Sequence, residues 1–337
     1  MMNKKIDILS VIGTRPQYIK IKPIHDYCKS NNISHKIIDT KQHYSDNVSR
    51  LLIDDLCLNI DISLGVQSSN EIDFICNLTN NLSNILRKEA PSIVLVYGDT
   101  NSTFCAALSA YKLGIPVAHI EAGERCFNNL VPEEINRIFA DSVAKFNFCS
   151  SELSAKNVDG HFCGDLEYNL LNNINPEISF DNFGVMTIHR QHNCSADRLS
   201  KIFKLCSNIP YKIKFFAHHR IKPFVGDDIP NNVEVLDPCA YSEMVGHMSK
   251  CKFIITDSGS IQKTSPFFGK NTLVMRGSSE WRDTEVRGYA RLEGDPKEDV
   301  AWLLSSPVPR RKDFYLSESG MPAELIINTV LESKGAV

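Results

Sequence analysis

The sequence predicts an α/β protein made of two domains of similar plan, each built on a parallel β-sheet. Three observations predict this fold class: short apolar runs alternate with amphipathic stretches, the runs are apolar on both faces, and the pattern pauses once near the middle. Strands that alternate with helices form parallel sheets from right-handed βαβ units, and helices on both faces require apolar strands. The 337 residues, 42% of them hydrophobic, are enough for two separate cores.

The elements follow in order along the chain. In the first half the predicted strands are IDILSVI, HKIIDT, SIVLVYG and PVAHIEAG, and YSDNVSRLLIDDL and IDFICNLTNNLSNILRKEA have helical period. The pattern pauses between about Ser150 and Phe183, in a stretch rich in Asn, Asp, Gly and Pro that indicates a hinge. It restarts with FGVMTIH, KIKFFAHH, KFIITDSG and NTLVMRG. Because ligands bind beyond the carboxyl ends of such strands, the residues just past each strand are the candidates for a site.

The composition excludes several classes of function. The net charge is −3, with 37 basic and 40 acidic residues interleaved, so no basic footprint of a nucleic-acid-binding protein is present. No segment reaches the roughly 20 apolar residues that span a bilayer, and the apolar run after MMNKK lacks the features of a secretory signal. The 11 cysteines form no CxxC pair and no cluster at zinc spacing. We therefore expect a cytoplasmic protein with reduced cysteines and no metal.

The first two strand ends carry polar and basic residues. GTRPQYIK provides Gly13 for a tight turn, Arg15 as a planar fork suited to phosphate, and Lys20 near the same edge. No GxGxxG fingerprint is present, and an ordinary βα turn with a surface arginine explains this motif equally well. KQHYSDN places Gln42 and His43 at the next strand end, where capping of a helix is an equally good explanation.

Acids follow the next two predicted strands. SIVLVYGD ends in Asp99, PVAHIEAGER leads to Glu121 and Arg125, and VPEEINR begins a helix with Glu133 and Glu134. Successive helix positions differ by about 100°, so only one of that last pair can face a given cleft. Acids that converge raise one another's pKa, and such a group can move a proton at carbon. Taken singly, Asp99 also suits a helix N-cap, and Glu133 a partner of the helix dipole.

Histidines and arginines mark the strand ends of the second half. GVMTIHR places His189 and Arg190 after one predicted strand, and FFAHHR places His218 after the next. NTLVMRGSSEWRDTE contributes Arg276 and Glu280 at a further strand end. A single histidine at such a position is more often structural, but two histidines beside arginines indicate a site that binds an anion.

The motif KFIITDSGSIQK is the sharpest signal in the second half. A buried strand runs into Ser258, Gly259 and Ser260 and then into a helix. Such a junction presents free backbone N–H groups and the positive end of the helix dipole, which suits a phosphate. Gly259 would let a diphosphate approach the backbone closely.

Nine motifs together resemble a known family. GTRPQYIK, QHYSDN, YGDTNST, HIEAG, PEEINR, GDLEYN, TIHR, TDSGSIQK and SEWRDTE occur in the order found in the non-hydrolysing UDP-N-acetylglucosamine 2-epimerase family. They resemble most closely the branch acting on UDP-2,3-diacetamido-glucuronic acid. The resemblance, from about residue 8 to 300, implies a GT-B fold with an interdomain cleft, a homodimer, and no metal or nicotinamide cofactor. It implies domains at 1–168 and 169–322, the second binding UDP, with a helix at 323–337 returning to the first.

The resemblance also implies a mechanism and the residues that carry it. A base removes the proton from carbon 2 of the sugar while UDP leaves carbon 1, and UDP then adds back as a proton reaches the opposite face. The products of such enzymes are precursors of bacterial surface polysaccharides. The implied catalytic residues are Asp99, Glu121, Glu133 and His189. The implied substrate-binding residues are Arg15, Lys20, Gln42, His43, Arg125, Arg190, His218, Ser258, Gly259, Ser260, Arg276 and Glu280.

The chain departs from the family pattern at several positions on the nucleotide side. Ser260 stands where the family usually has glycine, Thr264 where it has a ribose-binding glutamate, and His192 where it has an acid. These departures predict altered contacts to the nucleotide or the sugar. Three other functions therefore stay open: a hydrolysing 2-epimerase that releases free sugar and UDP, a GT-B glycosyltransferase, and a nucleotide-sugar-binding regulator.

Overall fold

The structure, a computed structural model, describes residues 6–42, 46–66, 68, 70–226, 228–279 and 281–332. The chain divides into two compact units. The first unit comprises Met1–Asn173 and Tyr315–Val337, and the second unit comprises Ile174–Phe314. The C-terminal segment therefore belongs to the same unit as the N-terminal half of the chain.

The first unit contains a parallel sheet. Its strands in chain order are β1 Ile8–Ile12, β2 His35–Asp39, β3 Ile62–Ser63, β4 Ile93–Tyr97, β5 Val117–Ile120, β6 Phe146–Cys149 and β7 His161–Phe162. Its helices are α1 Arg15–Ser30, α2 Asp46–Asp55, α3 Glu71–Glu89, α4 Asn101–Lys112, α5 Pro132–Val143, α6 Glu152–Val158 and α7 Leu166–Ile174. Over the described residues the spatial order is β3-β2-β1-β4-β5-β6-β7, with every neighbouring pair parallel.

The second unit repeats this plan. Its strands are β8 Phe183–Thr187, β9 Lys212–Phe216, β10 Val233–Leu236, β11 Phe253–Thr256, β12 Asn271–Val274 and β13 Ala290–Leu292. Its helices are α8 Ala196–Cys206, α9 Tyr241–Lys250, α10 Gly259–Phe268, α11 Arg282–Val286 and α12 Pro296–Leu303. The spatial order in the described part is β10-β9-β8-β11-β12-β13, again all parallel. Two separate parallel sheets with covering helices confirm the predicted α/β fold class.

Both sheets reverse their strand order next to their first strand. In the first unit β1 lies between β2 and β4, and in the second unit β8 lies between β9 and β11. At such a reversal the connections from the two neighbouring strands run in opposite directions, which opens a crevice at the carboxyl ends of the strands. Ligands bind in this crevice in doubly wound folds. The loops after β1 and β4, and those after β8 and β11, are therefore the places where each unit can hold a ligand.

The last helix, α13 (Pro322–Glu332), packs on α1 in the first unit. The Asp165 N–H donates to the carbonyl of Tyr315 at 2.7 Å, which ties the returning chain to the start of α7. The Ala323 N–H donates to the Asn169 side chain at 3.0 Å. No helix in the described ranges is long and apolar enough to cross a bilayer.

Candidate active site

The turn between β1 and α1 is held by one buried side chain, Gln17. Its Oε1 accepts hydrogen bonds from the backbone N–H groups of Gly13 at 2.8 Å and Thr14 at 3.1 Å. Its Nε2 donates to the carbonyl of Tyr97, the last residue of β4, at 2.6 Å. Gln17 thus joins the two loops at the reversal point of the first unit. Arg15, the first residue of α1, is half-buried beside this turn.

Lys20 and Glu121 form an ion pair at the same sheet edge. Lys20 Nζ contacts Glu121 Oε2, and the two side chains are only 9% and 14% exposed. Glu121 has a φ of 68°, in the left-handed region that residues other than glycine adopt infrequently. Its carboxylate lies against the turn after β4, because a Cβ on Gly98 would be 3.3 Å from Oε2. The structure therefore places Lys20 against an acid of the candidate site.

Asp99 is paired with an arginine from α5. Arg137 Nη2 contacts Asp99 Oδ2, and the Asp99 side chain is 29% exposed. The Asn136 side chain donates to the carbonyl of Asp99 at 2.9 Å. These two contacts fix the start of α5 to the turn that carries Asp99.

The two glutamates at the start of α5 are in different environments. Glu134 is buried and accepts hydrogen bonds from the backbone N–H groups of Cys126 and Phe127, each at 3.0 Å. Burial would raise the pKa of Glu134, but those N–H groups and Arg137 outweigh it and lower the pKa. Glu133 is exposed. Glu134 therefore anchors the loop before α5, and Glu133 is the member of the pair that is open to a substrate.

A buried ionic network supports both acid-bearing turns. His119 Nδ1 donates to Asp141 Oδ1 at 2.6 Å, and His119 Nε2 donates to the carbonyl of Gly98 at 2.8 Å. Arg125 Nη2 contacts Asp141 Oδ2 at 2.6 Å, and the Gly123 N–H also points to this carboxylate. Burial raises the pKa of Asp141, but its hydrogen bonds and charges with His119 and Arg125 lower it overall. Arg125, predicted to bind substrate, is thus held by Asp141.

The other predicted residues of the first unit lie after β2. Gln42 Oε1 accepts hydrogen bonds from the backbone N–H of Ser102 at 2.9 Å and from its hydroxyl at 2.7 Å. Gln42 therefore caps the start of α4, which was the alternative explanation of this motif. His43 lies outside the described residues, as does Glu280 in the second unit.

Asp257 organises the strand ends of the second unit. Its buried carboxylate accepts hydrogen bonds from the backbone N–H groups of His189 at 3.0 Å and Arg190 at 2.8 Å, and from the Asn193 side chain at 2.9 Å. His189 Nδ1 lies 3.0 Å from Asp257 Oδ1. Burial raises the pKa of Asp257, yet these donors and the His189 charge lower it to about 2. The Asp257 carboxylate fixes the His189 ring with Nδ1 as a donor, which leaves Nε2 for a ligand.

The loop after β11 forms the start of α10. The Ser258 hydroxyl oxygen accepts from the Ile261 N–H at 3.5 Å, and Gly259 and Ser260 are the first two helical residues. The first N–H groups of a helix have no intrahelical acceptor, so this turn can receive an anion. No acidic residue occupies this turn.

The remaining predicted residues of the second unit line its strand ends. The rings of His189 and His218 have centroids 6.0 Å apart, and His218 Nδ1 accepts from the Arg220 N–H at 3.3 Å. Arg190 is exposed and Arg276 half-buried. The second unit thus brings its predicted histidines together after β8 and β9.

Two departures from the family pattern have local roles in the structure. Thr264 is buried, and its hydroxyl donates to the carbonyl of Ile261 at 3.1 Å. His192 Nε2 donates to the carbonyl of Met275 at 3.4 Å. Both side chains thus donate hydrogen bonds to backbone carbonyls of the second unit.

The residues that hold these side chains in place were not predicted from the sequence. They are Gln17, His119, Asp141, Asn193 and Asp257. Three of them, Gln17, His119 and Asp257, lie inside quoted motifs, and all five are buried. A polar residue in an apolar strand or helix face is the signal that could have identified them, because a buried polar group requires a partner. Among the described residues, no group of three or more His, Cys, Asp or Glu side chains is placed to hold a metal ion.

Comparison with known proteins decides the family. The sequence model of the family described as UDP-N-acetylglucosamine 2-epimerase matches residues 25–160 and 164–312 of this chain. This chain belongs to the UDP-N-acetylglucosamine 2-epimerase family. It is accordingly an enzyme of the isomerase type, and the predicted family is confirmed.

Relatives of this 2-epimerase family cover nearly the whole chain. A UDP-N-acetylglucosamine 2-epimerase homolog of Methanococcus maripaludis is 30% identical over 350 residues, 95% of this chain and 98% of the relative. The UDP-2,3-diacetamido-2,3-dideoxy-D-glucuronate 2-epimerase of Pseudomonas aeruginosa is 31% identical over 317 residues, 87% of this chain and 90% of the relative. The crystal structure of the Methanocaldococcus jannaschii UDP-GlcNAc 2-epimerase in complex with UDP-GlcNAc and UDP has a TM-score of 0.82 at 26% identity. It covers 97% of this chain and 100% of that one, and this likeness confirms the GT-B fold.

Proposed function

We propose that this member of the family inverts carbon 2 of a UDP-activated N-acetyl amino sugar. The substrate would be UDP-N-acetylglucosamine, converted to the manno epimer, or an analogue with two acetamido groups and a carboxylate. The observation that supports this most is the pair of acids Asp99 and Glu121 at one sheet edge, each with its own cation. Inversion at one carbon needs a base on one face and a proton donor on the other. The relatives support the substrate class, since they include a UDP-2,3-diacetamido-2,3-dideoxy-D-glucuronate 2-epimerase and a UDP-GlcNAc 2-epimerase in complex with UDP-GlcNAc.

The proposed reaction proceeds by elimination and re-addition of UDP. One acid removes the proton from carbon 2, the bond between carbon 1 and the diphosphate oxygen breaks, and a 2-acetamidoglycal remains bound. UDP then bonds to carbon 1 again while a proton reaches carbon 2 from the other side. Asp99, Glu121 and the exposed Glu133 are the acids that we assign to the sugar.

We assign the residues of the second unit to the diphosphate. The N–H groups at the start of α10, in Ser258–Ser260, would accept the phosphate oxygens. His189, oriented by Asp257, would stabilise the charge that develops on the departing diphosphate through Nε2. Arg276, half-buried in the same unit, would add positive charge. In this proposal the enzyme is a cytoplasmic homodimer that supplies precursors for a bacterial surface polysaccharide.

Proton NMR in deuterated water tests the function. We would incubate the enzyme with UDP-N-acetylglucosamine and, separately, with UDP-2,3-diacetamido-glucuronic acid, and follow the carbon-2 proton and the coupling of the anomeric proton. The expected result is exchange of that proton with deuterium together with formation of the manno epimer from one of the two substrates.

The other outcomes name the competing functions. Accumulation of free sugar and UDP would indicate a hydrolysing enzyme, and turnover that requires an added acceptor would indicate a glycosyltransferase. Binding of both sugar nucleotides without exchange would indicate a regulator. Any of these results would overturn the proposed reaction.

A further inference from the structure

The two acids at the sheet edge of the first unit have cation partners of different chemistry. Asp99 is paired with Arg137, and Glu121 is paired with Lys20. The lysine pair is the more buried, with side chains 9% and 14% exposed against 15% and 29% for the arginine pair. The Glu121 carboxylate also lies against the turn of Gly98 that precedes Asp99. The two acids are therefore neighbours with unequal surroundings.

Arginine and lysine differ in whether they can release a proton. A guanidinium stays charged throughout the pH range of proteins, so Arg137 places a permanent positive charge beside Asp99. A lysine ammonium titrates, and removal of water disfavours its charged form. The proton between Lys20 and Glu121 can therefore move from nitrogen to oxygen, whereas the proton of Arg137 cannot move to Asp99.

We propose that Lys20 is the source of the proton that Glu121 delivers to carbon 2, while Asp99 removes the proton from the opposite face. The inference rests on the proposed function and adds to it the origin of the delivered proton. It also gives Lys20, which the resemblance implied to bind substrate, a role in proton transfer. The reverse reaction passes through the same steps in the opposite order.

Protons and electrons balance over one turnover. The Asp99 carboxylate takes the carbon-2 proton, the C–H electrons form the double bond between carbons 1 and 2, and UDP leaves with the electrons of the C1–O bond. The Lys20 ammonium gives a proton to Glu121, which passes it to carbon 2 as the UDP oxygen bonds to carbon 1. Protonated Asp99 then loses its proton to water, and the neutral Lys20 amine takes one up.

The test compares Lys20→Arg with Lys22→Arg. Lys22 is on the same helix and pairs with Asp26 at 2.7 Å, so the second variant is a matched control. Each epimer is incubated in deuterated water, and carbon-2 exchange is measured separately from net epimerisation. We expect Lys20→Arg to lower net epimerisation by about 10²-fold or more. Deuterium should still enter one epimer with retained configuration through Asp99, and Lys22→Arg should match the unaltered enzyme.

A purely structural or phosphate-binding Lys20 gives a different result. Lys20→Arg would then keep most of the epimerisation activity. Alternatively, the rates of carbon-2 exchange and of net epimerisation would fall together for both epimers. Either outcome overturns the inference.

A second variant covers the difference in size between arginine and lysine. Lys20→Ala is assayed with added methylammonium, which can release a proton, and with added guanidinium, which cannot. We expect methylammonium alone to restore net epimerisation. Equal restoration by both cations, or restoration by neither, would contradict the proposed proton source.

The inference and the proposed function fail in different ways. If the unaltered enzyme neither exchanges nor epimerises either sugar nucleotide, the proposed function is wrong whatever Lys20 does. If the unaltered enzyme epimerises and Lys20→Arg does so at a similar rate, only the role of Lys20 is wrong.

Discussion

The acids of the first unit differ in what their removal leaves behind. Glu121 and Lys20 are both largely buried, so loss of the carboxylate removes a negative charge from beside a buried ammonium. Asp99 and Arg137 are more open to water, which screens the charge that remains. Glu133 is exposed and forms no ion pair within the described part of the chain. Substitutions at the three acids should therefore separate chemistry from stability.

We expect Asp99→Asn, Glu121→Gln and Glu133→Gln each to lower turnover by about 10²-fold or more, because a positioned acid or base contributes at least that much. The three variants should still fold and should bind UDP as tightly as the unaltered enzyme, since we assign these acids to the sugar and not to the diphosphate. Glu121→Gln should lower the melting temperature most, and Glu133→Gln, which removes only an exposed charge in the first turn of α5, should lower it least. Steady-state kinetics, calorimetry with UDP and thermal unfolding measure these effects.

A control for this series is Glu152→Gln, an exposed glutamate at the start of α6. It should leave turnover unchanged and should lower the melting temperature no more than Glu133→Gln does. Near-normal carbon-2 exchange in all three acid variants would mean that the acids are structural, and the proposed reaction would lose its main support.

Asp257 provides a second prediction about a single side chain. In Asp257→Asn an amide nitrogen replaces one acceptor oxygen opposite the donors of His189, Arg190 and Asn193. We expect the free energy of unfolding to fall by about 1–3 kcal/mol. Turnover should fall by about 10²-fold or more, because His189 loses the group that orients its ring. Denaturant unfolding and kinetics test both effects.

The exposed Asp237→Asn is the matched control in the same unit. If Asp257→Asn lost stability but kept full turnover, the orientation of His189 would not matter to the reaction.

Residues at strand ends were predictable, whereas those that support them were not. Asp99 and Glu121 stand out because a charged residue directly follows an apolar run. His119 lies inside such a run, and only the three-dimensional structure shows that its ring joins Asp141 to the carbonyl of Gly98. The partners of a buried polar group come from distant parts of the chain, and one sequence does not reveal them.

At the level of elements, the inner strands of both sheets were predicted, whereas the outer strands β3, β6, β7, β10 and β13 were missed. All eight apolar runs identified in the sequence became strands. The two-residue strands β3 and β7, at the two edges of the first sheet, are too short for any alternation to be visible. The predicted pause between about Ser150 and Phe183 is wrong as a description of local structure, since α6 and α7 lie there. Helix α7 is rich in asparagine, and the buried Asn169 binds the start of α13.

The close approach of two turns gives a prediction for Gly13→Ala. A Cβ on Gly13 would lie 2.0 Å from Thr40 Oγ1 and 2.7 Å from Ser102 Oγ. We expect this variant to lose about 1–3 kcal/mol of the free energy of unfolding through overpacking, as measured by urea denaturation.

The double variant Gly13→Ala with Thr40→Ala removes the nearer of the two atoms. It should recover part of the lost stability. If Gly13→Ala alone were as stable as the unaltered enzyme, the β1–α1 turn would have room that the structure does not show.

The stability of the whole molecule should depend on pH through a buried histidine. Burial, and to a lesser extent the nearby His25, lowers the pKa of His35 from 6.5 to about 3. Between these values the unfolded chain binds a proton that the folded chain does not, so the free energy of unfolding falls as the pH falls. The expected slope is about 1.4 kcal/mol per pH unit below pH 6.5.

Urea unfolding at several pH values between 7.5 and 5 measures this slope, above the range in which most carboxylates titrate. His35→Asn should flatten it. The same slope in the variant and in the unaltered enzyme would assign the effect to other groups.

The return of the C-terminal segment to the first unit has a consequence for synthesis on the ribosome. Helix α13 packs on α1, yet the entire second unit is translated between them. During translation, α1 therefore lacks its contact with α13 until the whole second unit has been synthesised. The second unit can fold during that time, before the first. This order reverses the usual sequence, in which the N-terminal domain of a nascent chain folds before the next one. Nascent chains that end at Phe314 should accordingly be cut by protease in the first unit and resist it in the second.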